Sequence, residues 1–147
     1  MSFELCYILI HIPIIPAWAL LVLAPKSTLT QKYVHSAYLP ILMGIIYTSF
    51  LISAVFFGQS SEAAGMSNLK AVQALFSHPV GILTGWVHFI IFDLFVGAWI
   101  GRDALRQNMP HWITVICFIF TVMFGPLGLM IYLIARKFMG KGDWSLT

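Results

Sequence analysis

Charged side chains are scarce in this chain. Only 9% of its 147 residues are Asp, Glu, Lys or Arg, whereas 60% are hydrophobic. Soluble domains carry about 25% charged residues, so the composition excludes an ordinary soluble domain. The formal net charge is only +3, and no basic cluster interleaves with aromatic rings, so nucleic acid is not an expected partner. The chain is long enough for one domain, which the composition predicts to be a membrane domain.

Cysteine and the common catalytic motifs are also scarce. Cys6 and Cys117 are the only cysteines, and both lie in apolar segments, where a thiol usually packs as a small hydrophobic group. The five histidines show no HxxH or HxxxH spacing, and there is no CxxC pair, GxSxG elbow or P-loop. We therefore expect no metal and no cofactor, with haem ligation by His11 and His88 left open as an alternative.

Long apolar runs make up most of the sequence. A helix needs about 20 apolar residues to cross a bilayer, and four runs reach that length, at about 3–24, 36–57, 80–101 and 112–135. Segment 68–76 has apolar residues at helical spacing, which predicts a short helix at the membrane interface. We expect an all-α bundle of four transmembrane helices in a single domain, 1–147, with both termini on the same side of the membrane.

The basic residues do not settle the orientation of such a bundle. Four spans place Lys70, Arg136, Lys137 and Lys141 on one side and Lys26, Lys32, Arg102 and Arg106 on the other. The positive-inside rule then gives a tie. The first apolar run has no basic region before it, which argues against a cleaved signal peptide. We expect an integral, multi-pass protein of the bacterial cytoplasmic membrane, or of a plastid membrane if the source is a phototroph.

The third apolar run contains His88 and Asp93. An Asp at the centre of a membrane helix costs about 2.5–3.5 kcal/mol, so such residues usually face the bundle interior and usually have a function. Five positions apart on an ideal helix, the two side chains point about 140° apart and cannot touch. His11 in the first run lies at a similar depth to His88. Each is a candidate acid or base, and a structural hydrogen bond to a neighbouring helix is the alternative for each.

Glycine and proline mark two further features. Gly125-Pro126 interrupts the fourth run, because a Gly-Pro pair breaks a helix. Small residues at 81, 85, 97 and 101 of the third run are spaced so that another backbone, or a ligand, can approach closely.

The third apolar run, which contains His88 and Asp93, carries a family resemblance. The pattern Gly85-Trp86-x-His88-Phe89-x-x-x-Asp93-Leu94-Phe95-Val96-Gly97-x-Trp99-Ile100, followed by Gly125-Pro126-Leu127-Gly128, resembles the abscisic-acid-deficient-four family over nearly the whole chain. Plant members are plastid membrane proteins required to make neoxanthin from violaxanthin. The resemblance implies a carotenoid isomerase of the neoxanthin-synthase type. In that redox-neutral reaction an epoxide opens and an adjacent proton is lost.

The resemblance also implies roles for individual residues. Asp93, His88 and His11 are the acid–base candidates, and Trp86 and Trp99 are walls on which a polyene stacks. The other predicted substrate-binding residues are Gly97, where the polyene approaches the helix, together with Tyr47, Trp18, Gly125 and Pro126. Plant members have a basic residue after Val-Gly, where this chain has Ala98, so the substrate here can differ.

The partners that follow from this interpretation are a carotenoid or other hydrophobic small molecule and membrane lipids, with a homodimer left open. Two other functions are also left open. One is a non-catalytic carotenoid-binding or assembly protein. The other is a small haem or quinone protein.

Overall fold

All regular secondary structure in the described part of the chain is helical. The computed structural model describes residues 2–58 and 60–144, and the all-α prediction is confirmed there. Its helices are α1 Phe3–His11, α2 Ile14–Leu23, α3 Thr28–Tyr33, α4 Tyr38–Phe56, α5 Leu69–Leu75, α6 Pro79–Arg106, α7 His111–Phe124 and α8 Pro126–Phe138.

Three helical segments of the described chain are long and apolar enough to cross a membrane. They are Phe3–Leu23, Thr28–Phe56 and Pro79–Arg106. The first contains α1 and α2, which are separated at Pro13, a residue without the amide hydrogen that a continuous helix needs. By contrast, α7 has 14 residues and α8 has 13, so neither reaches the length of about 20 that a span requires.

Helices α7 and α8 form a helical hairpin. Gly125 ends α7 and precedes α8. Gly128 lies so close to Thr121 that a Cβ on Gly128 would collide with the Thr121 backbone. Residues seven apart in one straight helix would be about 10 Å apart. The break predicted at Gly125-Pro126 is therefore confirmed, and it is a reversal of chain direction.

Contacts with α6 show the same reversal. Only residues 107–110 separate the end of α6 from the start of α7. Further along, Gly125 lies against Asp93, in the middle of α6. Tyr132 and Arg136 of α8 then bond to Asp103, near the end of α6. The chain thus returns to the level at which α7 began. A four-span bundle with both termini on one side is not confirmed, because 112–135 does not run in one direction.

The chain divides into two compact units. The first comprises Met1–Pro13 and Tyr38–Ile91, and the second comprises Ile14–Ala37 and Phe92–Thr147. Helix α6 contributes its first half to the first unit and its second half to the second. The single membrane domain stays a prediction.

In the first unit, the small residues of α6 accommodate α5 and the residue after it. A Cβ at Gly81 would collide with the carbonyl oxygen of Leu75, and a Cβ at Gly85 would collide with the ring of Phe76. Asn68 caps α5, its side chain accepting a hydrogen bond of 3.0 Å from the Ala71 N–H. A short helix therefore forms within 68–76, and it packs on the start of α6.

In the second unit, the small residues of α6 accommodate α2. The indole ring of Trp18 lies over Gly97, and the Leu21 side chain would be 3.2 Å from a Cβ at Gly101. Gly97 and Gly101 are both buried. The close approach predicted from these glycines is thus made by the side chains of α2.

Candidate functional site

An aromatic cluster in the first unit fixes the tautomer of His11. The indole N–H of Trp86 donates to His11 Nε2 at 3.1 Å, and His11 Nδ1 lies 2.6 Å from the carbonyl oxygen of Tyr7. A carbonyl only accepts, so Nδ1 carries the proton and Nε2 accepts through its lone pair. Both nitrogens of this imidazole are therefore engaged. In this arrangement Nε2 is not available as a haem ligand or as a base until Trp86 moves.

Tyr7 connects this cluster to an apolar groove. Its ring lies 4.5 Å from the His11 ring and 5.8 Å from Trp86, between centroids. The groove has a volume of about 410 Å³ and is lined by Phe3, Glu4, Tyr7, Ile8, Pro79, Ile82 and Leu83. Its lining is almost wholly apolar, with the carboxyl of Glu4 as the one ionisable exception besides the Tyr7 hydroxyl. A long apolar ligand could thus lie along α1 and α6 and reach the Tyr7–His11–Trp86 cluster.

His88 has a different neighbour within the same unit. Its ring centroid lies 6.0 Å from that of Tyr47 on α4 and 6.2 Å from that of Phe89. The His88 side chain is exposed, on a helix long enough to cross the membrane. The structure therefore pairs a predicted acid–base residue with a predicted substrate-binding residue at each of two positions, namely His11 with Trp86 and His88 with Tyr47.

In the second unit, Asp93 lies against the tip of the α7–α8 hairpin. A Cβ on Gly125 would collide with the Asp93 Oδ1 atom. Helix α8 begins there with Pro126 in its first turn and with no side-chain cap. Gly125 thus lies against the predicted acid, and substrate binding by Gly125 and Pro126 stays a prediction.

Trp18 and Gly97 are brought together directly. The Trp18 ring fills the space above Gly97 and meets Phe118 edge-on, with 6.0 Å between centroids. This indole occupies the place that the resemblance assigns to a polyene. Substrate binding by Trp18 and Gly97 stays a prediction.

A buried ion network lies at the end of α6. Arg106 pairs with Asp103 at 2.5 Å. The same carboxylate also accepts hydrogen bonds from the Tyr132 hydroxyl at 2.6 Å and from Arg136 at 2.8 Å. The side chains of Asp103 and Arg136 are each only 1% exposed. This network joins α6 to α8.

Trp99 packs on this network. Its ring meets Tyr132 edge-on at 5.8 Å, and the Arg136 guanidinium carbon lies 5.9 Å from the Trp99 ring centroid. Tyr132 and Arg136 are four residues apart and so share one face of α8. That spacing is the only sequence signal for them, because their partner lies on another helix. The predicted stacking of a polyene on Trp99 stays a prediction.

The described residues contain no group of three or more His, Cys, Asp or Glu side chains that could hold a metal ion. The acid–base candidates described above are His11, His88 and Asp93, and aromatic rings pack against both histidines.

Comparison with known families agrees with the motif in α6. A family model described as ABA4-like, ABA DEFICIENT 4-like, matches residues 5–132. The chain belongs to the ABA DEFICIENT 4-like family. The matched region contains His11, Trp86, His88, Asp93 and Gly125, and it ends at Tyr132. The resemblance inferred from the sequence is confirmed.

One curated relative of this ABA DEFICIENT 4-like chain is Protein ABA DEFICIENT 4, chloroplastic, from Arabidopsis thaliana. The two are 23% identical over 133 residues, which cover 87% of this chain and 59% of the relative. The chain thus spans less than two thirds of that relative's length. No solved structure matches the chain.

Proposed function

We propose that this ABA DEFICIENT 4-like protein binds a carotenoid or a related polyene within the membrane and isomerises it without a redox change. The observation that carries the proposal is the apolar groove along α1 and α6, whose wall includes Tyr7 of the Tyr7–His11–Trp86 cluster. Its volume of about 410 Å³ lies in the range of small-molecule sites. Membership of the ABA DEFICIENT 4-like family supports a carotenoid as the class of substrate.

The proposed reaction needs one acid and one base. Protonation of an epoxide oxygen lets its C–O bond break, and removal of a proton from the neighbouring carbon forms a C=C bond, so atoms and electrons balance without a carrier. We assign Asp93 as the acid and His88 as the base. His11 already accepts a hydrogen bond from Trp86. Its role is therefore to hold Trp86 in the Tyr7–His11–Trp86 cluster unless Trp86 is displaced.

The membrane arrangement we propose has three spans and a re-entrant hairpin. Apolar helices of 10–14 residues are typical of re-entrant segments, and a broken backbone at membrane depth is tolerated where protein surrounds it. Gly125 is buried. The hairpin enters and leaves on one face, so the two termini lie on opposite sides.

The distribution of positive charge supports this arrangement. Three successive spans leave Lys70 alone on the side of the N-terminus. The other seven of the eight basic residues are then on the opposite side, namely Lys26, Lys32, Arg102, Arg106, Arg136, Lys137 and Lys141. The tie of four against four becomes seven against one. The positive-inside rule assigns the side with seven to the cytoplasm.

Expression in carotenoid-producing cells tests the proposed function. Pigments are separated by chromatography and identified by mass, and the expected product has the same mass as its precursor. Asp93→Asn and His88→Ala should each abolish the product, whereas Glu62→Gln, on an exposed loop residue, should leave it unchanged. Pigment that co-purifies without any new isomer would support a carotenoid-binding protein in place of an enzyme. Full product from both variants would refute the acid–base assignment.

A further inference from the structure

A second cavity lies in the second unit, and neither Asp93, His88, His11 nor a residue of the apolar groove lines it. It has a volume of about 300 Å³. Its floor includes buried residues of α6 and α7, among them Gly101, Ala104 and Phe118, and its rim carries the exposed polar side chains of Lys26, Asn108 and His111. A small apolar floor with a polar rim suits an amphiphilic ligand.

The rim lies where membrane-crossing helices end. Lys26 follows the end of α2 at Leu23, Asn108 follows the end of α6 at Arg106, and His111 is the first residue of α7. His111 Nε2 donates to the carbonyl oxygen of Val22 at 2.8 Å, which ties the start of α7 to the end of α2. In the proposed membrane arrangement, this level is the headgroup layer on the face with seven basic residues.

The charges around the cavity favour an anion. None of the described residues that line it carries a carboxylate, and the nearest acid along α6, Asp103, is bonded to Arg106 and Arg136. Lys26 supplies a positive charge, and Asn108 supplies amide donors. Pro110 precedes α7 and provides no side-chain cap, so the helix N-terminus adds a partial positive charge.

We propose that this cavity binds the phosphate headgroup of a membrane phospholipid. The phosphate lies at Lys26 and Asn108, and the glycerol backbone rests on the apolar floor beside Ala104 and Phe118. The inference rests on the proposed membrane arrangement and not on the carotenoid chemistry, so pigment analysis and lipid binding can fail separately.

Lipid binding to the whole, delipidated protein in detergent tests the proposal. The probes are phosphatidylglycerol, diacylglycerol and inorganic phosphate, read by native mass spectrometry and by the shift in melting temperature. Phosphatidylglycerol should bind and raise the melting temperature, and diacylglycerol should not. Lys26→Gln should weaken phosphatidylglycerol binding about threefold to fivefold, as expected for an exposed charge pair. Lys32→Gln, which removes the same charge from an exposed position outside the cavity, should not weaken it.

A cavity-filling variant provides an independent arm. Leu105→Trp introduces a large ring at the cavity wall and should abolish binding while the far-UV circular dichroism spectrum stays helical. Equal binding of diacylglycerol, equal effects of Lys26→Gln and Lys32→Gln, or unchanged binding by Leu105→Trp would each overturn the proposal. Saturation of the site by inorganic phosphate with loss of bound lipid would also overturn it, in favour of a site for free phosphate.

Discussion

His11 shows how a single hydrogen bond limits what a residue can do. A histidine is useful as a base through one unprotonated nitrogen, and here that nitrogen accepts the N–H of Trp86. The other nitrogen is committed to the Tyr7 carbonyl oxygen. Trp86 thus competes with any substrate proton for the same lone pair. The His88 ring lies against Tyr47 in a tilted contact, with 6.0 Å between the ring centroids.

Any side chain introduced at position 125 would collide with Asp93. We expect Gly125→Ala to destabilise the protein by about 1–3 kcal/mol, because the new methyl group collides with the carboxylate and forces local shifts. Carotenoid conversion should fall as well, since the carboxylate is displaced. The measurements are the melting temperature in detergent and the pigment assay.

A control and a second variant make this prediction specific. Gly44→Ala on α4 adds the same methyl group where nothing lies within 4 Å, so it should leave the melting temperature unchanged or slightly raised. Adding Asp93→Ala to Gly125→Ala should restore part of the lost stability, because residues in contact are energetically coupled. Equal destabilisation by Gly44→Ala and Gly125→Ala would show that the collision is not the cause.

At the scale of elements, the network around Asp103 holds the hairpin to α6. Asp103→Asn removes the charge that balances Arg136, a side chain that is 1% exposed. Removal of one partner of a buried ion pair costs about 3–5 kcal/mol, so the melting temperature should fall sharply. Glu62→Gln, which neutralises an exposed acid, should have no such effect. If Asp103→Asn had the same melting temperature as the native protein, the hairpin would be held to α6 by apolar packing alone.

The elements were predicted from sequence to unequal degrees. Helix α6 and the break at Gly125-Pro126 follow from local signals, namely apolar length and helix-breaking residues. The direction of the chain after the break does not follow from local signals. A Gly-Pro pair is equally compatible with a kink and a reversal, and the reversal depends on Gly128 fitting against Thr121. Tyr132 and Arg136 were missed for the same reason, because they meet Asp103 only after the chain has turned back.

The candidate site was predicted as a set of residue types rather than as contacts. The motif in α6 correctly indicated the family, because family membership depends on sequence alone. The bond between Trp86 and His11 joins residues 75 positions apart, and no local pattern encodes such a pair. The contact between Trp18 and Gly97 also joins residues that are far apart in the sequence. The glycine indicated a close neighbour, but not which neighbour.

At the scale of the whole molecule, the reversal at Gly125 decides on which side the C-terminus lies. In a four-span bundle, residues 70 and 141 are on the same side. With three spans and a re-entrant hairpin, they are on opposite sides, and residue 26 is on the side of residue 141. Single cysteines at these positions therefore distinguish the two arrangements, in a background where Cys6 and Cys117, both buried, are replaced by serine.

Labelling intact cells with a membrane-impermeant maleimide carries out this test. Lys70→Cys should be labelled, whereas Lys26→Cys and Lys141→Cys should be labelled only after the cells are permeabilised. The expected asymmetry follows from the seven basic residues that the proposed arrangement places on one face. If Lys70→Cys and Lys141→Cys were both labelled in intact cells, the four-span arrangement would be supported and the re-entrant hairpin refuted. It would also move residue 141 away from the face that carries the proposed headgroup cavity. The same three variants therefore constrain both the membrane arrangement and the lipid site.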